Sequence, residues 1–111
     1  MKIIVKKPNE KAKVISTDIT YVGDLKKLID CKFYPESVGI VTTGVICAVD
    51  EDGYPNKKEF NAFIPTLSLK FPIQRMVGTM VFYRRKPVDY IGEIYDYEVD
   101  SLKDRDIEYI T

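Results

Sequence analysis

The sequence contains no histidine, the side chain that most often supplies acid–base chemistry near neutral pH. Its absence excludes Ser-His-Asp triads, Cys-His dyads and zinc sites built on histidine. An enzyme made from this chain would need carboxylate, lysine, tyrosine or metal chemistry, and the residue set offers no convincing acid–base pair. The composition therefore favours a binding protein over a catalyst, and it predicts no cofactor.

Cysteine is scarce, with Cys31 and Cys47 as the two thiols of the chain. Two cysteines at this separation do not make a zinc site, and thiols in a cytosolic protein usually stay reduced. Cys47 lies within the apolar run 45–49 and is most simply a small core residue. We expect no structural disulfide.

Long hydrophobic runs are also missing. No apolar stretch reaches the roughly 18 residues that a membrane-spanning helix requires. The first seven residues are too short and too charged for a signal peptide and are typical of a first strand. The sequence therefore predicts a cytoplasmic protein without a membrane partner.

The formal net charge is zero, with 17 basic and 17 acidic residues, but the two signs are separated along the chain. Residues 1–88 hold 15 Lys/Arg against 9 Asp/Glu, whereas residues 89–111 hold 2 against 8. Either the two parts pack together as solvated faces that partly cancel, or one of them is a binding surface. The zero net charge argues against direct nucleic-acid binding, although a local patch could suffice.

At 111 residues and 45% apolar content, the chain predicts one globular domain. Gly78 lies inside a strand pattern and indicates a bulge or a close backbone approach, and Ser101 with Asp104 resembles the capped start of a helix. Hairpin-length connections predict an α+β fold, a mostly antiparallel sheet of about five to six strands with two short helices packed on one face. The predicted strands are 2–6, 12–19, 38–43, 45–50 and 76–83, the alternating segments 59–64 and 90–99 are candidates for edge strands, and the predicted helices are 21–31 and 102–110.

Several short motifs occur in a characteristic order along nearly the whole chain. They are the N-terminal hairpin with its short helix, the apolar strand and acid-glycine turn at 45–53, the loop at Pro55-Asn56, Val77-Gly78-Thr79, and the terminal segment 101–110. In this order they resemble the family called domain of unknown function 3846, which is found in bacteriophages, plasmids and their bacterial hosts. The chain departs from that pattern at 59–75 and in the Tyr/Asp-rich segment 90–100. The family has no agreed catalytic residues, so the resemblance implies a context: a small accessory protein of a mobile element in the bacterial cytoplasm.

The acidic run Asp50-Glu51-Asp52 before Gly53 suggests two interpretations. It could hold a hard cation, but it lacks the alternating carboxylates and the distal glutamate of a calcium loop. Asp-Gly is a strong hairpin signal, so we interpret the run as a solvated turn and predict no metal site.

Cations cluster in two loops, at 57–58 and at 84–86, with Arg75 between them. If the loops met in space, they could bind a phosphate or a nucleotide, with a tyrosine as a stacking face. No Walker or Rossmann glycine pattern supports this, and solvated loops are the simpler interpretation. The residues of this alternative ligand site are Tyr54, Asn56, Lys57, Arg75, Tyr83 and Arg84.

The acidic region 89–108 also carries tyrosines. Closely spaced carboxylates can imitate a row of phosphates, and tyrosine is favoured at protein interfaces. The simpler interpretation is a charged edge that discourages strand pairing. Our main hypothesis is a non-enzymatic protein that modulates a host complex, in one version by inhibiting CRISPR or restriction; the alternative is a protein that sequesters a nucleotide. The segments 59–64 and 90–99 could each support a homodimer by strand addition. The predicted partner-binding residues are Tyr95, Asp96, Tyr97, Glu98 and Asp100.

Overall fold

The computed structural model describes residues 1–32, 35–42, 44–53, 55–65, 73–86 and 98–111. A 3-10 turn at Val22–Leu25 runs directly into the first helix. The helices are α1 (Lys26–Ile29) and α2 (Asp104–Ile110). The strands are β1 (Lys2–Lys6), β2 (Lys13–Ser16), β3 (Pro35–Thr42), β4 (Val45–Asp50), β5 (Phe60–Pro65), β6 (Ile73–Val77), β7 (Met80–Arg85) and β8 (Val99–Asp100).

Six strands form one antiparallel sheet in the order β2-β1-β7-β4-β3, with β8 paired to the far end of β7. Strands β5 and β6 form a separate antiparallel pair. The residues that follow β8 contact the start of β1, where the backbone N–H of Leu102 donates to the Lys2 carbonyl at 2.9 Å. The predicted α+β class with a mostly antiparallel sheet is confirmed.

The two helices lie on opposite faces of the sheet, so the prediction that they share one face is wrong. Ile3, Val81 and Tyr83 pack with Leu25 and Ile29 at the α1 side. Ile4, Cys47 and Phe82 form the other face, against which Ile107 and Ile110 of α2 pack together with the β5–β6 pair. The reason lies in β4 and β7, whose apolar residues run almost without interruption, as strands buried on both faces do.

A corner at Gly78 separates β6 from β7, where the sequence predicted one strand with a bulge over 76–83. The chain leaves the small sheet at Val77 and enters the large sheet at Met80. Gly78 adopts a φ of 74°, and its N–H donates to the Glu59 carbonyl at 2.7 Å. The run read as one strand is therefore two strands of different sheets joined at a left-handed residue.

Replacing Gly78 with alanine should lower the free energy of unfolding by about 1–2 kcal/mol, the cost of the left-handed region for a residue with a Cβ atom. The new Cβ would also lie 2.9 Å from Cδ of Lys58, which would have to move. Chemical denaturation measures the loss. Gly23→Ala is the matched control, since its Cβ would have no neighbour within 4 Å. Equal stability of the two variants would contradict a strained corner at Gly78.

Both helices begin differently from the prediction. Helix α1 is one turn, continuing the 3-10 turn that follows Tyr21, and the chain leaves it at Asp30 in the left-handed conformation. Helix α2 begins after Lys103, whose N–H donates to Oδ2 of Asp106 at 2.8 Å. Ser101 is not the cap; its hydroxyl accepts the N–H of Lys2. Lys2, the first residue of β1, thus binds the Ser101 hydroxyl that the sequence predicted as the cap of α2.

Both cysteines are free of a disulfide, as predicted. Cys47 is fully buried in the α2-side cluster, where desolvation raises the pKa of its thiol. Cys31 is half-buried after α1, and burial also raises the pKa of its thiol. Across the described parts of the chain, no helix has the length and apolar character needed to cross a membrane.

Candidate functional site

Tyr83, predicted as a stacking face for a ligand, is a core residue. Its side chain is 0% exposed and packs in the α1-side cluster with Val81 and Val99. A ligand base could not reach it without unfolding the sheet. The prediction failed because a tyrosine followed by Arg84-Arg85 looks like the exposed end of a strand.

Arg84 is held by an internal carboxylate. Its Nε and Nη2 donate to the two carboxylate oxygens of Asp106 at 2.5 and 2.7 Å, and these side chains are 13% and 2% exposed. The hydrogen bond from Arg84 lowers the pKa of Asp106, and the same bond raises the pKa of Arg84. Because Gly44 has no side chain, it leaves room for Nη1 of Arg84; a Cβ atom at position 44 would overlap that nitrogen. Arg84 therefore anchors α2 to the sheet and is not an anchor for a ligand.

The other described members of the alternative ligand site lie elsewhere on the molecule. Asn56 and Lys57 are exposed on the loop after β4, and Lys57 has a φ of 54°. Arg75 is exposed on β6, with its guanidinium carbon 4.9 Å from the ring centroid of Phe60. Tyr54 lies outside the described residues. The described members of the predicted site therefore divide into exposed residues, on a loop and on β6, and the interior residues Tyr83 and Arg84.

The two basic loops approach opposite ends of β7. The aliphatic part of Lys58 lies against Gly78, just before β7, whereas Arg84 lies near its far end. The four residue steps from Met80 to Arg84 span on the order of 13 Å at the usual strand rise. The two loops therefore do not meet, so the condition for the alternative anion site is not fulfilled by Lys58 and Arg84.

Lys58 is the centre of a polar cluster that the sequence analysis missed. Its Nζ lies 2.8 Å from Oδ2 of Asp50 and donates to the carbonyls of Asp30 at 2.5 Å and Ile29 at 3.4 Å. One ammonium thus joins the loop after β4, the end of β4 and the end of α1. These partners are 8, 28 and 29 positions away along the chain. No local pattern could have indicated them.

Asp50 is accordingly not part of a solvated loop. It is 5% exposed, and its Oδ1 accepts the N–H of Asp52 at 3.0 Å while Gly53 donates to its carbonyl. The predicted turn is present, but its first carboxylate is buried against Lys58. Within the residues that the structure describes, no group of three or more Cys, Asp or Glu side chains could hold a metal ion.

The described part of the predicted partner-binding segment, Glu98 and Asp100, is attached to the sheet through β8 and to Tyr21 through a bridge at Glu98. The N–H of Lys86 donates to the carbonyl of Glu98 at 3.1 Å, and the Lys86 ammonium lies 3.1 Å from the Glu98 carboxylate. That carboxylate raises the pKa of Lys86. Tyr95, Asp96 and Tyr97 lie outside the described residues. Lys86 and Glu98 are thus joined by both a backbone hydrogen bond and an ion pair.

The described acidic side chains of this region point to one side of the sheet. Val99 is buried in the α1-side cluster, so strand alternation directs Glu98 and Asp100 toward the side of α2. The negative charge of Asp100 accordingly acts on Arg84 and raises its pKa. Glu98 and Asp100 are half-buried, and the Asp100 carboxylate also accepts the N–H of Ser101.

Helix α2 adds further charge and an aromatic ring on the same side. Its outward positions include Asp104 and Glu108, and Tyr109 is 62% exposed, the highest value among the exposed large hydrophobic residues of the described chain. The inward position Asp106 is used by Arg84. We call the outward set the acidic surface; it comprises Glu98, Asp100, Asp104, Glu108 and Tyr109.

Comparison with known proteins adds nothing to this geometry, because the chain matches no protein-family model, no curated protein and no solved structure. The resemblance to the phage- and plasmid-associated family therefore stays a prediction.

Proposed function

We propose that this protein is a non-enzymatic accessory protein that binds another protein through the acidic surface and the segment 89–97, which precedes it in the sequence. The observation that carries the proposal is that β8 and α2 hold the described carboxylates of the acidic surface on one side of the sheet. Carboxylates carried by such ordered elements can meet a partner at little entropic cost.

The distribution of carboxylates supports binding over internal packing. The two buried carboxylates of the described core, Asp50 and Asp106, are each paired with a cation and support the fold. Asp104 and Glu108 face solvent instead, beside the exposed Tyr109. Tyrosine in an acidic setting suits a partner surface that is basic and partly apolar.

A basic partner is the natural complement of such a surface. Proteins that hold nucleic acid carry clustered lysine and arginine along their grooves, and a row of carboxylates can occupy such a groove. Together with the mobile-element context that the sequence resemblance implies, this leads us to propose a host protein complex as the target. Inhibition of a bacterial defence system, CRISPR or restriction, is the version that this chemistry suits best.

Reversing the charges of Asp96 and Glu98 to lysine should abolish capture of the partner while leaving the thermal melt nearly unchanged. Exposed ion pairs such as Lys86–Glu98 contribute little to stability, because solvent screens them. The measurement is a pull-down from bacterial lysate with tagged wild type and variant, read by mass spectrometry. One complex captured by the wild type and lost by the variant is the expected result.

The matched control is the double variant Asp18→Lys/Asp24→Lys, which changes the net charge equally at exposed positions outside the acidic surface. It should capture the same complex as the wild type. Glu108→Lys tests whether the binding surface continues onto α2. Undiminished capture by the Asp96/Glu98 variant would rule out the proposed surface.

A further inference from the structure

Strand β2 forms an open border of the large sheet. It pairs with β1 over the register Lys2–Ser16 to Val5–Lys13, and none of the other described strands pairs with it. Next to this register, Met1 and Thr17 exchange both of their backbone hydrogen bonds, at 3.0 and 2.9 Å. Hydrogen-bonded and non-bonded pairs alternate in an antiparallel ladder, so Ile4–Val14 and Lys2–Ser16 are non-bonded pairs.

This alternation determines which backbone groups face outward. The N–H and carbonyl of Lys2 point away from β2, as their bonds to Ser101 and Leu102 show. Their counterparts on β2, the N–H and carbonyl groups of Val14 and Ser16, must then point outward from the sheet. No described residue bonds to them. They form a short row of donors and acceptors to which another strand could be added.

The opposite border of the sheet is less suited to strand addition. β3 has register shifts between Ser37 and Gly39 and between Ile40 and Thr42, and it begins at a proline. Bulges and prolines are common protections of sheet edges. The pairing of β2 has no such shift, and Val14 is 43% exposed. Of the two borders, β2 therefore combines a regular pairing register with an exposed apolar side chain.

The charges around β2 indicate what kind of strand it would accept. The first 16 residues contain five lysines and a single acid, Glu10. Lys2, Lys7, Lys11 and Lys13 are exposed. The contact of Lys13 with Glu10, at 3.5 Å between side chains 69% and 46% exposed, is too solvated to neutralise the group. Lysines facing each other disfavour a second copy of β2, whereas a carboxylate-bearing strand would be attracted.

We propose that the β2 border binds an extended acidic segment of a partner protein as an added antiparallel strand. The backbone of Val14 and Ser16 supplies the hydrogen bonds, the Val14 side chain supplies an apolar contact, and the flanking lysines select for acid. This site uses none of the residues of the acidic surface and prefers the opposite charge, so it does not depend on the proposed function.

The test uses a terminally blocked heptapeptide with a Val-Thr-Val centre and two glutamates at each end, titrated into the ¹⁵N-labelled full chain. We expect the amide resonances of Val14 and Ser16 to shift and their exchange with solvent to slow. Val14→Pro removes one outward N–H without touching the ladder to β1, so affinity should fall roughly tenfold. Val14→Thr, which keeps the N–H, is the matched control and should retain most of the affinity.

A second variant keeps the test valid if the proline impairs folding. Lys11→Glu/Lys13→Glu should lower the affinity for the glutamate peptide by roughly tenfold or more. It should raise the affinity for the same peptide with lysine in place of glutamate. Equal binding of both peptides to the wild type, or unchanged binding by Val14→Pro, would overturn the proposal. Two other results would also overturn it. One is a single-stranded oligonucleotide that competes with the peptide and binds Val14→Pro as tightly as it binds the wild type. The other is a dimer of the chain that forms in the wild type and is abolished by Val14→Pro.

Discussion

Asp106→Asn should destabilise the protein by about 3 kcal/mol, because removing one partner of a buried ion pair leaves the other charge without compensation. The change keeps the shape of the side chain but removes the charge that holds Arg84 at 2.5 and 2.7 Å. Helix α2 is seven residues long and would lose its main polar attachment to β7. Denaturant unfolding at neutral pH measures the loss.

Two further variants separate this effect from simple loss of a helix charge. Asp104→Asn removes an exposed carboxylate from the same helix and should cost less than about 1 kcal/mol. Arg84→Met/Asp106→Leu replaces the pair by apolar side chains and should recover much of the stability, since such replacements are often neutral. If Asp106→Asn unfolded at the same denaturant concentration as the wild type, Arg84 would not be a structural anchor.

The same carboxylate predicts a dependence of stability on pH. Arg84 lowers the pKa of Asp106 in the folded protein below the value of about 3.9 expected in the unfolded chain. The unfolded state therefore takes up its proton first as the pH falls. The stability contributed by Asp106 is complete above its unfolded pKa and is lost as the pH falls through the folded pKa. Asp106→Asn should show a shallower acid limb than the wild type.

The strands of this fold could be predicted where periodicity is a local property. β1 and β4 were predicted at the bounds that the structure gives them, because each is an apolar run ended by a charge or a turn. The corner at Gly78 could not be predicted, since β6 and β7 read as one apolar run and only their partners differ. The two helices lie on opposite faces because both faces of the central strands β4 and β7 are covered. The alternation of apolar and polar residues along the sequence does not show this.

The candidate site, like the fold, could be predicted only where the signal is local in the sequence. The excess of acid after residue 88 is a property of composition, and the described part of that region does present Glu98, Asp104 and Glu108 at the surface. The role of Arg84 depends on Asp106, 22 positions away, and that of Lys58 depends in part on Asp30, 28 positions away. A cation at the end of a strand looks solvated in the sequence whether or not a distant carboxylate binds it.

Lys58→Met is the second change for which we expect a large effect, a loss of about 3 kcal/mol in the free energy of unfolding. Methionine can follow the same path across Gly78 but cannot replace the ammonium. The carboxylate of Asp50, with a side chain 2% exposed, would lose its cation, and the carbonyls of Ile29 and Asp30 would lose their donor. Lys57→Met, at the exposed neighbouring position, is the control and should be close to neutral.

The Lys58 variant also tests whether the ammonium connects β4 to α1 or only neutralises the charge of Asp50. If the ammonium stabilises only Asp50, Asp50→Asn/Lys58→Met should recover most of the stability, since the unpaired charge is gone. If it also holds the end of α1, the double variant should stay destabilised, because the two carbonyls still lack their donor. Hydrogen exchange at the amide of Cys31, which donates to the Lys26 carbonyl at 3.1 Å, would then speed up more than exchange in β7. Full recovery with unchanged exchange at Cys31 would reduce Lys58 to the counter-ion of one carboxylate and leave α1 held by its apolar contacts alone.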